Sequence, residues 1–181
     1  MKSELVVIRK AQGFALIDLV FVCGIIGLLS SIALPRMLMA QQAAGASSAI
    51  GSLRTIGSAE LTFALTCGSG FYAPSLTALG TPPPGSNDAF IAPTLSAGIT
   101  VVRSGYLFQL EGVAYPGSPA PCNGAAGGET AQGFRAGADP VGTGNPRFFA
   151  INANGSIYEH DATLFADMPE LGEPTVGRVL R

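Results

Sequence analysis

Gly13-Phe14-Ala15-Leu16-Ile17-Asp18-Leu19-Val20 opens an apolar run that lasts to Pro35, and Asp18 is the only charged residue among the 22 from Phe14 to Pro35. A segment of that length and composition is long enough to cross a bilayer as a helix. A carboxylate inside such a segment is disfavoured by roughly 2.5–3.5 kcal/mol at the helix centre, and groups of this kind mark function. Asp18 lies near one end of the run, where the penalty is smaller but not absent. If the chain were cut between Gly13 and Phe14, the new α-amino group of Phe14 would lie one helical turn from Asp18. That amine, from the same or a neighbouring subunit, would neutralise the carboxylate in an apolar setting.

The residues around this stretch carry a resemblance. Arg9-Lys10 followed by Gly13-Phe14-Ala15-Leu16-Ile17-Asp18, the Gly24–Leu29 sequence Gly-Ile-Ile-Gly-Leu-Leu and the Ala33-Leu34-Pro35 ending resemble the N-terminus of type IV pilins and of the pseudopilins of type II secretion. The family usually has Glu where this chain has Asp18, one methylene longer. The resemblance spans about residues 9–36. It implies that a prepilin peptidase/methyltransferase cuts after Gly13 and N-methylates Phe14. It also implies that Asp18 is the assembly charge, and that the helix loosens around Gly24, Gly27 and Pro35 when subunits enter a filament.

Around that core the chain divides into four expected parts: a basic leader over residues 1–13, a membrane or filament-core helix over 14–35, an amphipathic continuation over 36–66, and a globular domain over 67–181. Arg9 and Lys10 favour a cytoplasmic leader, which places the globular domain on the periplasmic side of the inner membrane before assembly and outside the cell afterwards. Both Lys residues lie in the leader, so the chain from Phe14 holds seven Arg against eleven acids, a charge of −4. Mild acidity argues against a polyanion partner such as nucleic acid. Cys23 lies in the apolar run, whereas Cys67 and Cys122 lie in the exported part, where an even pair reads as one disulfide.

Ala46, Ile50, Leu53, Ile56, Ala59 and Phe63 recur at three- and four-residue spacings and predict an apolar stripe, with Ser52 and Glu60 placed off it. Gly45, Gly51 and Gly57 weaken this helix, which is expected to end at Cys67-Gly68 with Gly68 as cap. Pro74–Gly80 reads as a single helical turn, and the Pro82-Pro83-Pro84 loop as a spacer. Two hairpins follow: 99–103 with 106–111 about Ser104-Gly105, and 147–151 with 156–160 about Asn154-Gly155. The expected fold is therefore α+β, a long N-terminal helix on a roughly four-stranded antiparallel sheet, the pilin fold that the resemblance implies. Between the hairpins, residues 112–146 hold nine Gly and five Pro and read as a long connecting loop tied down by Cys122. The tail after Asp161 offers Leu164, Phe165, Met168 and Leu171 as extra cover.

Catalytic chemistry has little to build on. His160 is the only histidine, so no multi-His metal site exists, and Glu159, His160 and Asp161 read as a solvated polar cluster. The glycines of 124–144 lack the Gly-Lys-Ser/Thr ending of a phosphate loop, and Asp139, Asp161 and Asp167 are too scattered for a Ca²⁺ site. Neither an enzyme, a metal nor a cofactor is expected. Three functions stay open: the subunit of a type IV pilus or similar homo-oligomeric filament, which the resemblance favours; a pseudopilin of type II secretion; and a membrane-tethered binding domain that never polymerises.

Overall fold

A computed structural model describes residues 16–142 and 144–180, so Gly13 and Phe14 lie outside the described residues. The chain packs as two units, Met1–Gln41 and Gln42–Arg181. A single helix, α1, covers Leu16–Thr66.

In the first unit the described residues are helical and almost entirely exposed, from Leu16 and Ile17 through Leu38 and Met39. In the single chain α1 is helical through Gly24, Gly27 and Pro35, the positions where loosening is expected on entry into a filament. Pro35 forfeits one backbone hydrogen bond, while Ala33, Leu34 and Met37 to Ala40 on either side are strong helix formers. Each glycine costs about 1 kcal/mol relative to Ala, which is too little to interrupt a helix of this length.

In the second unit α1 buries Ala46, Ala49, Leu53, Ile56, Ala59 and Phe63 against the sheet. Ile50 is only half-buried and packs at the margin of this core. Full burial of a side chain such as Phe63 or Leu53 contributes about 1.5–3 kcal/mol. Gly45 and Gly57 let helix and sheet approach closely: a Cβ on Gly45 would meet the Ser104 carbonyl oxygen at 3.0 Å, and one on Gly57 would meet Ile151 Cδ1 at 3.0 Å. Glu60 is not off the stripe but fully buried within it. It stands four residues after Ile56 and three before Phe63, on the core face of a 3.6-residue helix.

The helix ends at Thr66, where the Gly68 N–H donates to the Phe63 carbonyl at 2.7 Å and the Gly70 N–H to the Ala64 carbonyl at 2.8 Å. Gly68 does not supply the left-handed cap; Ser69 and Gly70 do, with φ of 52° and 94°. A glycine is needed at 68 for space, since a Cβ there would fall 2.0 Å from the Phe71 carbonyl oxygen. Two short helices follow, α2 (Leu76–Leu79), capped by Ser75 Oγ accepting from the Ala78 N–H, and α3 (Pro93–Ser96).

The sheet is antiparallel throughout and has six strands, two more than expected, in the order of the chain: β1 (Thr100–Arg103), β2 (Tyr106–Glu111), β3 (Arg135–Pro140), β4 (Phe148–Asn152), β5 (Ile157–His160) and β6 (Arg178–Val179). β3 comes from the stretch expected to be loop and sits between β2 and β4, with Phe108 opposite Ala138 and Ala138 opposite Phe149. The first hairpin turns at Ser104 and Gly105, both left-handed with φ of 52° and 79°, as a two-residue primed turn requires. In the second hairpin only Gly155 is left-handed (φ 77°), and its N–H donates to the Asn152 carbonyl at 2.9 Å.

One face of the sheet carries Phe108, Ala138, Phe149, Ile151 and Ile157 and packs on α1. The other is covered by the segment after β5. Leu164 and Met168 are buried there against Ala150 and Tyr158, and Phe165 lies over Gly137, where a Cβ would meet it at 3.0 Å. Leu171 stays exposed.

Candidate functional site

The sequence expectation centres on Asp18, which stands in the first turn of α1. Its neighbours Leu16, Ile17, Leu19, Val20 and Phe21 are all exposed. Five of six successive helix positions cannot lie on one side of a helix, so the apolar surface encircles it. An 18-residue window of α1 has a mean hydropathy of 2.4 and none of it is buried, so the helix is long and apolar enough to cross a membrane. A helix that is hydrophobic all round belongs in the core of a large protein or in a membrane. Cys23 is free and exposed on the same segment. A Cβ at Gly24 or Gly27 would meet nothing within 4 Å, so these positions offer smooth backbone to any partner.

Cys67 and Cys122 are joined, with an S–S distance of 2.07 Å and a Cα–Cα distance of 4.8 Å across a separation of 55 residues. The bond is backed by the Cys122 N–H donating to the Cys67 carbonyl at 3.1 Å. It fastens the irregular segment after β2 to the end of α1. That segment is fastened again where Tyr72 and Ala131 exchange backbone hydrogen bonds of 2.8 and 2.9 Å.

A third arrangement escaped the sequence reading. Glu159 is not solvated: it lies on the helix-facing side of β5 with its side chain 7% exposed. Arg147 Nε donates to Glu159 Oε1 at 2.5 Å and Arg178 donates to Oε2 at 3.1 Å. The hydrogen bond from Arg147 holds the Glu159 carboxyl below the usual carboxylate range, and the same bond raises Arg147. The Arg147 guanidinium also lies 5.2 Å from the centre of the Phe149 ring. His160, on the opposite strand face, contacts Asp161 at 3.3 Å. These groups border an open groove of about 530 Å³ that also touches Pro146 and Gly177. Both arginines are satisfied by Glu159. The chemistry of the groove is that of a clasp joining β4, β5 and β6. The detectable signal was register: Glu159 alternates with Ile157 on the core-facing side of its strand.

Among the described residues no three of His, Cys, Asp and Glu gather in a way that could hold a metal ion. Compared with known proteins, the chain matches no protein-family model, no curated protein and no solved structure.

Proposed function

We propose that the chain is the structural subunit of a type IV pilus or pilus-like filament, with the helix-on-sheet unit as a pilin fold. In this reading a prepilin peptidase/methyltransferase at the inner membrane cuts after Gly13 and methylates Phe14. Until then the subunit waits with its apolar helix in the bilayer and its sheet domain in the periplasm. Assembly transfers the helix from lipid into a bundle of its own copies, and the filament extends outside the cell.

The single observation that carries this reading is the exposed apolar girdle of α1 with one carboxylate in its first turn. Lipid can cover the girdle, but a carboxylate that stays ionised in that setting needs a positive partner. The amine freed by cleavage at Gly13-Phe14 supplies one without any further charged residue. Intact-mass measurement of the protein from its native host tests this. The expected mass begins at Phe14 and carries one added methyl group. A mature protein that keeps residues 1–13 would overturn the filament reading and leave the membrane-tethered domain in its place.

A further inference from the structure

Glu60 is a fully buried carboxyl group in the core of the second unit. Its Oε2 accepts from the Ala73 N–H at 2.9 Å, and its Oε1 has no hydrogen-bond partner among the described residues. The Ala73 amide lies next to Tyr72, the residue that pairs with Ala131, and next to Pro74, whose carbonyl accepts from the Gly112 N–H at 3.2 Å. One side chain from α1 therefore holds the crossover at 71–74, and the crossover holds the segment 112–131.

Among the described residues no ion pair involves Glu60. Of the titratable side chains on the segments packed against it, Tyr72 packs on Phe134 and Tyr115 on Phe71, while Glu129 accepts from the Ala126 N–H. On the sheet, Glu111 pairs with Arg135 at 2.7 Å on the face turned away from α1. Cys67 and Cys122 are disulfide-bonded and do not titrate. An ionised Glu60 would thus keep a single backbone hydrogen bond for a buried charge, which is far short of what such a group needs. As a neutral acid it retains the bond to Ala73 without that penalty.

We propose that Glu60 is a pH-responsive latch: neutral, it pins the 71–74 crossover and through it the segment 112–131, and on ionisation it releases both while the Cys67–Cys122 bond keeps them tethered. Burial pushes the Glu60 carboxyl well above the usual carboxylate range, and the Ala73 hydrogen bond opposes this only in part. The latch therefore holds at low pH. Its contribution declines as pH rises from the ordinary carboxylate value to the raised one, because over that window the folded state binds the extra proton.

The test is amide hydrogen exchange on the full mature chain in detergent, with rates corrected for the intrinsic effect of pH. In the wild type, peptides covering 70–75 and 112–131 are expected to exchange about tenfold faster at about pH 9 than at about pH 5, the ratio that a loss of about 1.4 kcal/mol in local stability corresponds to. The strands β3 and β4 serve as the internal reference and should not share this change. Glu60→Gln has the same shape, keeps an acceptor for Ala73 and cannot ionise, so its ratio should fall to about twofold or less. A wild-type ratio near one would overturn the proposal without any variant. So would a Glu60→Gln protein that keeps the wild-type pH dependence.

Discussion

Arg147 Nε and Glu159 Oε1 stand 2.5 Å apart, with the carboxylate almost wholly inside the fold and the guanidinium half outside it. The geometry makes Glu159 the dependent partner. Losing the arginine strands a buried charge, whereas losing the acid leaves cations that water can reach. Arg178, 79% exposed and 3.1 Å away, can compensate only weakly. Arg147→Ala is therefore expected to destabilise the sheet domain by about 1–3 kcal/mol, and Arg178→Ala by less than about 1 kcal/mol. The pH dependence follows from the lowered Glu159 carboxyl. Its contribution is fully present above the ordinary carboxylate value and is lost as pH falls through the depressed one. Thermal melting across the acid range should show this slope in the wild type and a shallower one in Glu159→Gln. Equal slopes in the two proteins would remove Glu159 from the account.

The disulfide makes a separate prediction. Closing a loop of 55 residues contributes roughly 4 kcal/mol by restricting the unfolded chain. Cys122→Ser should therefore lower the midpoint of denaturant unfolding. Its local effect should stop at residue 134, because the strand β3 beyond it is paired on both sides. Limited proteolysis reads the difference. Cleavage is expected to rise within 112–131 and to remain absent from 135–140; cuts inside β3 would show that the bond organises the sheet itself.

Gly137 reports on the second layer. It occupies the centre of the sheet, between Gln109 and Ala150, with Phe165 directly over it. Gly137→Val adds a good strand former but forces its methyl groups into that ring, so overpacking outweighs propensity. The expected loss is about 1–3 kcal/mol. A double variant with Phe165→Ala should lose less than the sum of the two single changes, since the smaller residue makes room for the larger. Additive losses would mean that the two positions do not press on each other.

Particular residues explain how much of this could be read in advance. Strand β2 fell within its expected bounds because Tyr106, Leu107 and Phe108 favour a pleated surface. The apolar helix and the disulfide were legible for equally local reasons, a long uncharged run and an even pair of cysteines. β3 was not, since Arg135-Ala136-Gly137-Ala138-Asp139-Pro140 contains no β-branched or aromatic residue. Its small side chains are what a strand squeezed between α1 and Phe165 needs, and that demand exists only in the folded chain. β6 spans two residues and depends on pairing with Tyr158 and Glu159. Glu60 and Glu159 were misplaced by treating charge as a marker of exposure, although the helical spacing of one and the strand alternation of the other pointed inward.

Asp18 gives the prediction on which the filament reading rests. The residue stands in the first turn of α1, surrounded by exposed Leu16, Ile17, Leu19 and Phe21. In the proposed filament, water is excluded from the helix bundle and an unpaired carboxylate costs several kcal/mol, so the amine of a processed Phe14 would be the partner that selects register. Asp18→Ala removes the charge without touching Gly13 or Phe14. Insertion into the membrane should improve slightly and cleavage should continue, because neither depends on the carboxylate. Filament yield after shearing should nevertheless fall about tenfold or more, the effect of losing about 1.4 kcal/mol or more at each added subunit. Asp18→Glu keeps the charge on a side chain one methylene longer and should retain most of the yield. The readout is sheared filament against membrane-held subunit in the same cells, with the processed mass verified in both pools. If Asp18→Ala yields filaments at the wild-type level, the carboxylate is not the cue that aligns an incoming subunit; if the wild type itself yields no sheared filament, the girdle of α1 serves only to hold the sheet domain at a membrane.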